Sequence, residues 1–294
     1  MSRLRELLGP DVRVADGGVG TGLQASSLDA GQAPEELALD APEELVELHR
    51  SFIRAGSDIL LTDTFGANPV RLRHSAHQDV ARVNRTAVAC AREAVELEGR
   101  LDVLVAGSIG PTGEILAPLG ELDPDVAQES FAAQAAALDR CDLLVIETMF
   151  ALDEATAALL GCRQATSVPV VVSFSFDAGV GESRTMMGHT VEDVVVAMAE
   201  LGVDGIGFNC GTSLETAKAT AVEFAAQVEA HGLDLPLWVK PNAGIPEPMS
   251  GRYPAGPDDM ASFAAWAAEL GASVVGGCCG TTGEHLHEIA SALR

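Results

Sequence analysis

Short apolar runs alternate along this chain with longer patterns in which Ala and Glu recur at helical spacing. Runs rich in Val, Ile and Leu are typical of strands that are buried on both faces, as in parallel sheets. Eight such runs cover residues 12–16, 59–65, 103–108, 143–148, 170–176, 205–210, 237–242 and 274–279. The helical patterns cover residues 42–55, 80–97, 126–139, 153–165, 191–201, 214–230, 257–270 and 284–293.

The ends of the helical patterns agree with this alternation. Pro42 and Pro257 stand where a first helical turn tolerates proline, and acidic residues follow each of them. Glycines follow four of the patterns, as helix C-caps do, and these are Gly56, Gly202, Gly232 and Gly271. No change of composition divides the chain, so we predict one α/β domain over residues 1–294, a (β/α)8 TIM barrel. An open, doubly wound sheet is the alternative.

The charge balance limits the classes of partner. The 294 residues include 43 Asp and Glu against 18 Lys and Arg, a formal net charge of -25. Such a surface repels phosphate backbones and anionic lipids, so neither nucleic acid nor a membrane is an expected partner. Residues 1–10 lack the apolar stretch of a signal peptide, and no apolar run reaches 18 residues. We therefore expect a soluble cytoplasmic protein whose six cysteines are thiols or metal ligands.

Cysteines stand at the ends of two predicted strands. One segment, GIGFNCGT, carries Cys210, and the other, VVGGCCGTT, carries Cys278 and Cys279. In a parallel barrel the carboxyl ends of the strands meet at one rim, where active sites lie. Three thiolates on one rim are a soft ligand set suited to zinc, with a fourth position open to water or substrate. The alternative is that these cysteines are small buried residues of the core.

Other strand ends carry charged residues. Asp16 precedes the turn GGVGTG, whose glycines let backbone amides approach a small anionic ligand while Asp16 is available to an amine. A tight turn with no ligand is the alternative, and the dinucleotide-binding register GxGxxG is absent. Glu147 follows an apolar run, where an acid is costly unless it pairs with a substrate ammonium or an arginine. Lys240 is a candidate for an ion pair inside the barrel or, alternatively, for a Schiff base.

Seven segments together resemble one known family. They run in order from Asp16 to Thr282 and are DGGVGTGLQ, TDTFGAN, GSIGPTGE, ETM, GFNCGT, KPNAG and GGCCGTT. With these segments the chain resembles the homocysteine S-methyltransferases, which include the homocysteine-binding barrel of cobalamin-dependent methionine synthase and betaine-homocysteine methyltransferase. The resemblance implies a zinc-bearing TIM barrel that methylates homocysteine to methionine, as in methionine biosynthesis.

The resemblance also implies roles for individual residues. Cys210, Cys278 and Cys279 match the family's Zn²⁺ ligands, and the homocysteine sulfur would take the open position. Four residues match positions that hold the ammonium and carboxylate of the amino acid, namely Asp16, Gly17, Thr64 and Glu147. Ser108 and Asn209 are carried over to the same substrate site. Because zinc deprotonates the bound thiol, the resemblance requires no catalytic residue beyond the metal site.

The sequence does not identify the methyl donor. No segment resembles the cobalamin-binding DxHxxG motif, and aromatic residues are only 4% of the chain, too few to suggest a cage for betaine. Two interpretations remain: an enzyme that uses S-methylmethionine or S-adenosylmethionine, or the homocysteine-binding component of a split system that takes methyl from a separate corrinoid protein. Outside this class, we also consider an aldolase that uses Lys240 and a zinc-binding protein without activity.

Overall fold

The structure is a computed structural model that describes residues 3–26, 28, 32–177 and 183–294. Its eight strands form one parallel sheet in the order β1-β8-β7-β6-β5-β4-β3-β2. They are β1 (Arg13–Val14), β2 (Ile59–Leu61), β3 (Leu104–Ile109), β4 (Leu143–Met149), β5 (Val170–Phe174), β6 (Gly205–Cys210), β7 (Leu237–Pro241) and β8 (Ala272–Val275). The predicted (β/α)8 barrel is confirmed, and the doubly wound alternative is wrong because each strand pairs with its neighbours in sequence.

The sheet closes between β1 and β2 with few backbone hydrogen bonds. Ala15 and Ile59 form a single parallel bridge at this seam. Asp58 adds two hydrogen bonds, because its N–H donates to the Val14 carbonyl at 2.7 Å and its Oδ2 accepts the Val14 N–H at 3.0 Å. A carboxylate thus replaces part of the ladder that longer strands would supply.

Helices cover the outside of the barrel. They are α1 (Arg3–Leu8), α2 (Val19–Ser26), α3 (Leu37–Asp40), α4 (Pro42–Ala55), α5 (Pro69–Leu72), α6 (Val80–Glu98), α7 (Pro124–Ala137), α8 (Leu152–Ala165), α9 (Val191–Glu200), α10 (Leu214–Ala230), α11 (Pro257–Leu270) and α12 (Gly283–Leu293), with a 3-10 turn at Pro34–Glu36. All eight predicted helices are present within two residues at either end. Gly56 and Gly271 end α4 and α11 in the left-handed conformation, with φ of 114° and 105°.

The core has two layers. One lies between the sheet and the helices, and the other fills the barrel with side chains such as Leu61, Val145 and Trp238. Leu4 and Leu8 of α1 belong to the inner layer, so this short helix plugs the end of the barrel where the strands begin. Along the described ranges, no helix has the length and apolarity needed to cross a membrane.

The chain leaves β8 earlier than predicted. The strand ends at Val275 rather than at Cys279, and single hydrogen bonds then guide the chain: Gly276 N–H donates to Val239 and Cys278 N–H donates to Pro241. The glycines permit this path because a Cβ on Gly276 would lie 2.8 Å from the Ala15 carbonyl oxygen. Cys278 and Cys279 therefore lie on the loop after the strand, next to β7 and the β1 loop.

Candidate active site

A cavity of about 470 Å³ opens at the carboxyl ends of the strands. Its wall includes the thiol-bearing residues Cys210, Cys278 and Cys279 together with Glu147 and Lys240. The loops after β1, β2 and β8 contribute to it, together with the last residues of β4 and β6. The structure thus brings these strand-end residues together at one end of the barrel.

The three thiols form a compact cluster. Their sulfur atoms all lie within 4.8 Å of one another, and Cys210 Sγ is 3.5 Å from Cys278 Sγ. Zinc bound tetrahedrally with Zn–S bonds of about 2.3 Å would hold its sulfur ligands about 3.8 Å apart. The cluster therefore fits the donor set and the spacing of a three-thiolate zinc site that leaves one position open toward the cavity. The other three cysteines, Cys90, Cys141 and Cys162, are buried elsewhere.

Hydrogen bonds distribute the protons within the cluster. Those from Cys210 and Cys278 lower the pKa of Cys279 to about 3, and the hydrogen bond to Cys278 raises the pKa of Cys210 well above its usual value. A positive ion would let the remaining thiols ionise.

Asn209 holds the strand ends around the thiols. Its Oδ1 accepts hydrogen bonds from Thr148 N–H at 2.8 Å and Ser173 Oγ at 2.7 Å, and its Nδ2 donates to Thr148 Oγ1 at 2.7 Å and Cys210 Sγ at 3.3 Å. Thr148 and Cys210 have φ of 62° and 64°, which is uncommon for residues other than glycine. Strained residues of this kind persist where their surroundings fix them, and Asn209 supplies that fixation from behind the cavity wall.

Lys240 pairs with Asp16 inside the barrel. Lys240 Nζ lies 2.5 Å from Asp16 Oδ1, both side chains are buried, and the Leu61 N–H donates to Asp16 Oδ2 at 2.7 Å. The ion pair predicted for Lys240 is confirmed. Burial lowers the pKa of Lys240, but Asp16 and Glu147 outweigh burial and raise it. A permanently charged ammonium is a poor nucleophile, which argues against the Schiff-base alternative.

Glu147 lies on the cavity wall with most of its surface buried. Ser108 Oγ donates to Glu147 Oε1 at 2.5 Å, so the polar partner in the described structure is a serine rather than an arginine. Burial raises the pKa of Glu147 to about 7, although Lys240 lowers it. A carboxyl group in this state lacks a full positive partner, and an ammonium in the cavity would supply one.

The remaining predicted residues divide between the wall and the layer behind it. Gly17 and Ser108 line the cavity with Glu147, whereas Asp16, Thr64 and Asn209 lie behind it. Thr64 Oγ1 donates to the Ser108 carbonyl at 2.7 Å and so supports the residue that holds Glu147. A Cβ on Gly17 would lie 2.4 Å from the Thr281 carbonyl oxygen, which explains the glycine there.

Several residues of the site were not predicted from sequence. Glu35, Asp63, Phe65 and Arg71 line the same cavity. Glu35 lies on a short 3-10 turn and Arg71 on a four-residue helix, and such elements leave no periodic signal. Thr148 also lies on the wall, and its φ is visible only in the structure.

Comparison with known proteins places this arrangement in a family. The model of the homocysteine S-methyltransferase family matches residues 13–293. The chain belongs to this family. Methionine synthases of Mycobacterium tuberculosis and Mycobacterium leprae are 32% and 33% identical over 309 and 311 residues. Each alignment covers 99% of this chain but 25% of the relative, so the chain spans about a quarter of the length of these curated relatives.

A solved structure of the homocysteine S-methyltransferase family has the same fold. The metallated form of the homocysteine methyltransferase MmuM from Escherichia coli superimposes with a TM-score of 0.77 at 25% identity. The match covers 98% of this chain and 99% of that one. A methyltransferase from Methanosarcina mazei, 16% identical with a TM-score of 0.60, shares the fold. The family predicted from the sequence motifs is confirmed, and with it the methyltransferase class of the family.

Proposed function

We propose that this chain is a zinc-dependent homocysteine S-methyltransferase that forms methionine. One observation carries the proposal: three thiol sulfur atoms within 4.8 Å of one another share a cavity wall with a buried carboxyl group and a buried ammonium. The first set suits a soft metal ion, and the second suits an amino acid. Membership of the homocysteine S-methyltransferase family supports the same conclusion. A single barrel domain over residues 1–294 and a cytoplasmic location remain predictions from the sequence.

Different residues of the site would bind the metal ion, the substrate ammonium and the substrate carboxylate. Cys210, Cys278 and Cys279 would hold Zn²⁺, which when bound lowers the pKa of a coordinated thiol so that it reacts as thiolate. Glu147, held by Ser108, would receive the substrate ammonium. Gly17 and the first turn of α2 would face the substrate carboxylate, because the N-terminus of a helix attracts anions.

The layer behind the wall keeps these groups in place. Asp16 holds Lys240 by the ion pair, Thr64 supports Ser108, and Asn209 fixes Thr148 and Cys210. In the reaction, a bond forms between the homocysteine sulfur and the methyl carbon while the bond between methyl and donor breaks, and the electron pair of that bond leaves with the donor. Since the nucleophile is already a thiolate, the chain needs to supply orientation rather than a general base.

Substitution of one cysteine tests the metal site. We expect Cys278→Ala to lose bound zinc and methionine formation together, by at least about a hundredfold in activity, because removal of one of three ligands opens the site. Cys162→Ala is the matched control, since Cys162 is a buried cysteine of α8 outside the cluster. Zinc content by mass spectrometry and methionine formation are measured on both variants. A zinc-free Cys278→Ala protein with full turnover would contradict the proposal.

A second candidate function differs only in the donor. Sequence similarity to two methionine synthases favours the second candidate, a homocysteine-binding component that takes methyl from a separate corrinoid protein. A donor panel separates the two candidates on zinc-loaded protein with homocysteine. Methionine formed from S-methylmethionine or S-adenosylmethionine supports a self-sufficient enzyme, and methionine formed only from methylcobalamin supports the split system.

A further inference from the structure

The cavity carries a buried acidic side chain that homocysteine binding does not use. Asp63, in the loop after β2, is 4% exposed and lines the same cavity as the three thiols. Its Oδ2 is buried and has no hydrogen-bond partner among the described residues. A buried oxygen without a partner costs free energy, so its retention at a cavity wall indicates a missing ligand group.

The charged residues Glu35 and Arg71, which line the same cavity, do not pair with Asp63. Glu35, 6% exposed, accepts the Gly66 N–H and is a second acid. Arg71 lies with its guanidinium carbon 5.6 Å from the centre of the Phe65 ring, and no ion pair joins it to Asp63 in the described structure. Burial, and then repulsion from Glu35, raise the pKa of Asp63 well above its usual value. A cation beside Asp63 would oppose this shift and favour the carboxylate.

The inference below rests on the proposed function and concerns the second substrate. We propose that Asp63 recognises the positive centre of the methyl donor, an onium compound in which a sulfonium or quaternary ammonium group carries the methyl. Three other unassigned residues that line the cavity suit such a donor: Phe65 offers an apolar face, Glu35 a second acid, and Arg71 a partner for a donor carboxylate. A cavity of about 470 Å³ has the size of small-molecule sites.

The charge balance of the transfer gives Asp63 a definite kinetic role. The thiolate of homocysteine attacks the methyl carbon, the carbon–sulfur or carbon–nitrogen bond of the donor breaks, and its electron pair stays on the donor heteroatom. The positive charge of the donor is thereby cancelled, and a neutral thioether or amine leaves. A carboxylate that attracts the cation stabilises the bound donor more than the transition state, so its loss should weaken donor binding without slowing the chemical step.

Asp63→Asn tests this assignment because it removes the charge and keeps the shape. With S-methylmethionine and, separately, betaine as the donor, we expect the donor KM to rise at least about tenfold. The kcat should not fall, and the homocysteine KM and the zinc content should stay near those of the unmodified protein. Glu121→Gln is the matched control, because it removes one carboxylate from an exposed loop outside the cavity. Which of the two donors turns over identifies the onium class.

A binding measurement on metal-free protein gives a readout without turnover. Titration calorimetry with S-methylmethionine and with betaine, each in two buffers of different ionisation enthalpy, counts the protons released on binding near pH 7. We expect Asp63→Asn to bind at least one of the two compounds more weakly and to release fewer protons than the unmodified protein, because a bound cation lowers the raised pKa of Asp63. Equal affinity and equal proton release in the two proteins would overturn the proposal.

A neutral methyl donor separates a failure of the proposed function from a failure of the role of Asp63. Methyl iodide, a neutral donor, methylates homocysteine on the zinc-loaded protein if the proposed function holds, and Asp63→Asn should leave that rate unchanged. Absence of this reaction counts against the proposed function alone, since the calorimetry still measures cation binding. Methylation by methyl iodide together with no binding of either onium compound would overturn the role of Asp63 and leave the proposed function standing.

Discussion

Two buried carboxyl groups share one buried ammonium in this site. Asp16 Oδ1 pairs with Lys240 Nζ at 2.5 Å. Glu147 has only the Ser108 hydroxyl as a hydrogen-bond donor in the described structure. Burial raises the pKa of both acids despite the presence of Lys240. The set of three is therefore one positive charge short of balance, and the ammonium of an amino acid would supply that charge beside Glu147.

Glu147 should make amino acid binding depend on pH. In metal-free protein, methionine has no thiol proton to lose, so its affinity reports the ammonium site. With a pKa of about 7 in the unliganded protein, Glu147 gains its charge as pH rises, and binding should strengthen about tenfold or more between about pH 5.5 and about pH 7.5. Glu147→Gln should bind methionine more weakly at the upper pH and remove this dependence, as measured by calorimetry.

A control with the same charge change separates this effect from general electrostatics. Glu121→Gln, on an exposed loop, should keep both the affinity and its pH dependence. If Glu147→Gln binds methionine as tightly as the unmodified protein at both pH values, Glu147 does not hold the ammonium.

The sequence predicted the positions of the site's residues at strand ends better than it predicted their pairing partners. Cys210, Cys278, Cys279 and Glu147 stood out because each follows an apolar run, a position that depends only on local order. That Asp16 pairs with Lys240, 224 positions away, depends on barrel closure, and no local pattern contains that information. Asp16 was accordingly expected to be available to an amine, whereas the structure shows both of its oxygens hydrogen-bonded within the protein.

At the scale of elements, an aspartate stands immediately before each of three strands. It joins that strand to the preceding strand of the chain. Asp58, Asp142 and Asp204 immediately precede β2, β4 and β6. In each case the aspartate N–H donates to a carbonyl of the adjacent strand or its edge, and Oδ2 accepts the N–H of the same residue, which is Val14, Val105 or Val170. The device extends the ladder where the strands begin, at the end of the barrel opposite the cavity.

Asp204 should therefore be important for stability and not for function. Its Oδ2 accepts the Val170 N–H at 2.9 Å, and its carboxylate pairs with Arg163 and Arg3 while 8% of its side chain is exposed. Asp204→Ala leaves a buried N–H and a partly buried guanidinium without their acceptor, so we expect a loss of about 2–4 kcal/mol in the free energy of unfolding. Urea denaturation measures it.

The chain offers a matched control for Asp204. Asp234 also pairs with an arginine of α1, Arg5, but its side chain is 57% exposed, and Asp234→Ala should cost less than about 1 kcal/mol. Asp204→Asn should lie between the two, because the amide oxygen still accepts the Val170 N–H. Zinc content should be unchanged in all three, and equal stability of Asp204→Ala and Asp234→Ala would contradict the argument.

The fold as a whole was predictable where its elements are long. The eight helices of ten or more residues carry several turns of periodic signal, and all were found. The strands were predicted with the right order but too long at several ends, because apolar and small residues continue past the last ladder hydrogen bond, as at Gly276 and Gly277. The plug α1 was missed, since six residues are too few for a periodic pattern to be distinguished.

The net charge of -25 is a property of the whole molecule, and it opposes the compact state. Raising the ionic strength from about 0.01 M to about 0.15 M shortens the Debye length from about 30 Å to about 8 Å, which screens repulsion between distant acids. Exposed ion pairs such as Arg5 with Asp234 are weakened by the same salt, but each contributes little. Because acids outnumber basic residues 43 to 18, the relief of repulsion should dominate.

We therefore expect the thermal unfolding midpoint to rise by several degrees over this range of ionic strength. Scanning calorimetry at fixed pH and fixed zinc loading measures the midpoint. NaCl and KCl should act alike, since screening depends on ionic strength and not on which of these cations supplies it. A midpoint that stays constant or falls with salt would mean that attractive pairs, rather than the excess of acids, dominate the electrostatics of the folded barrel.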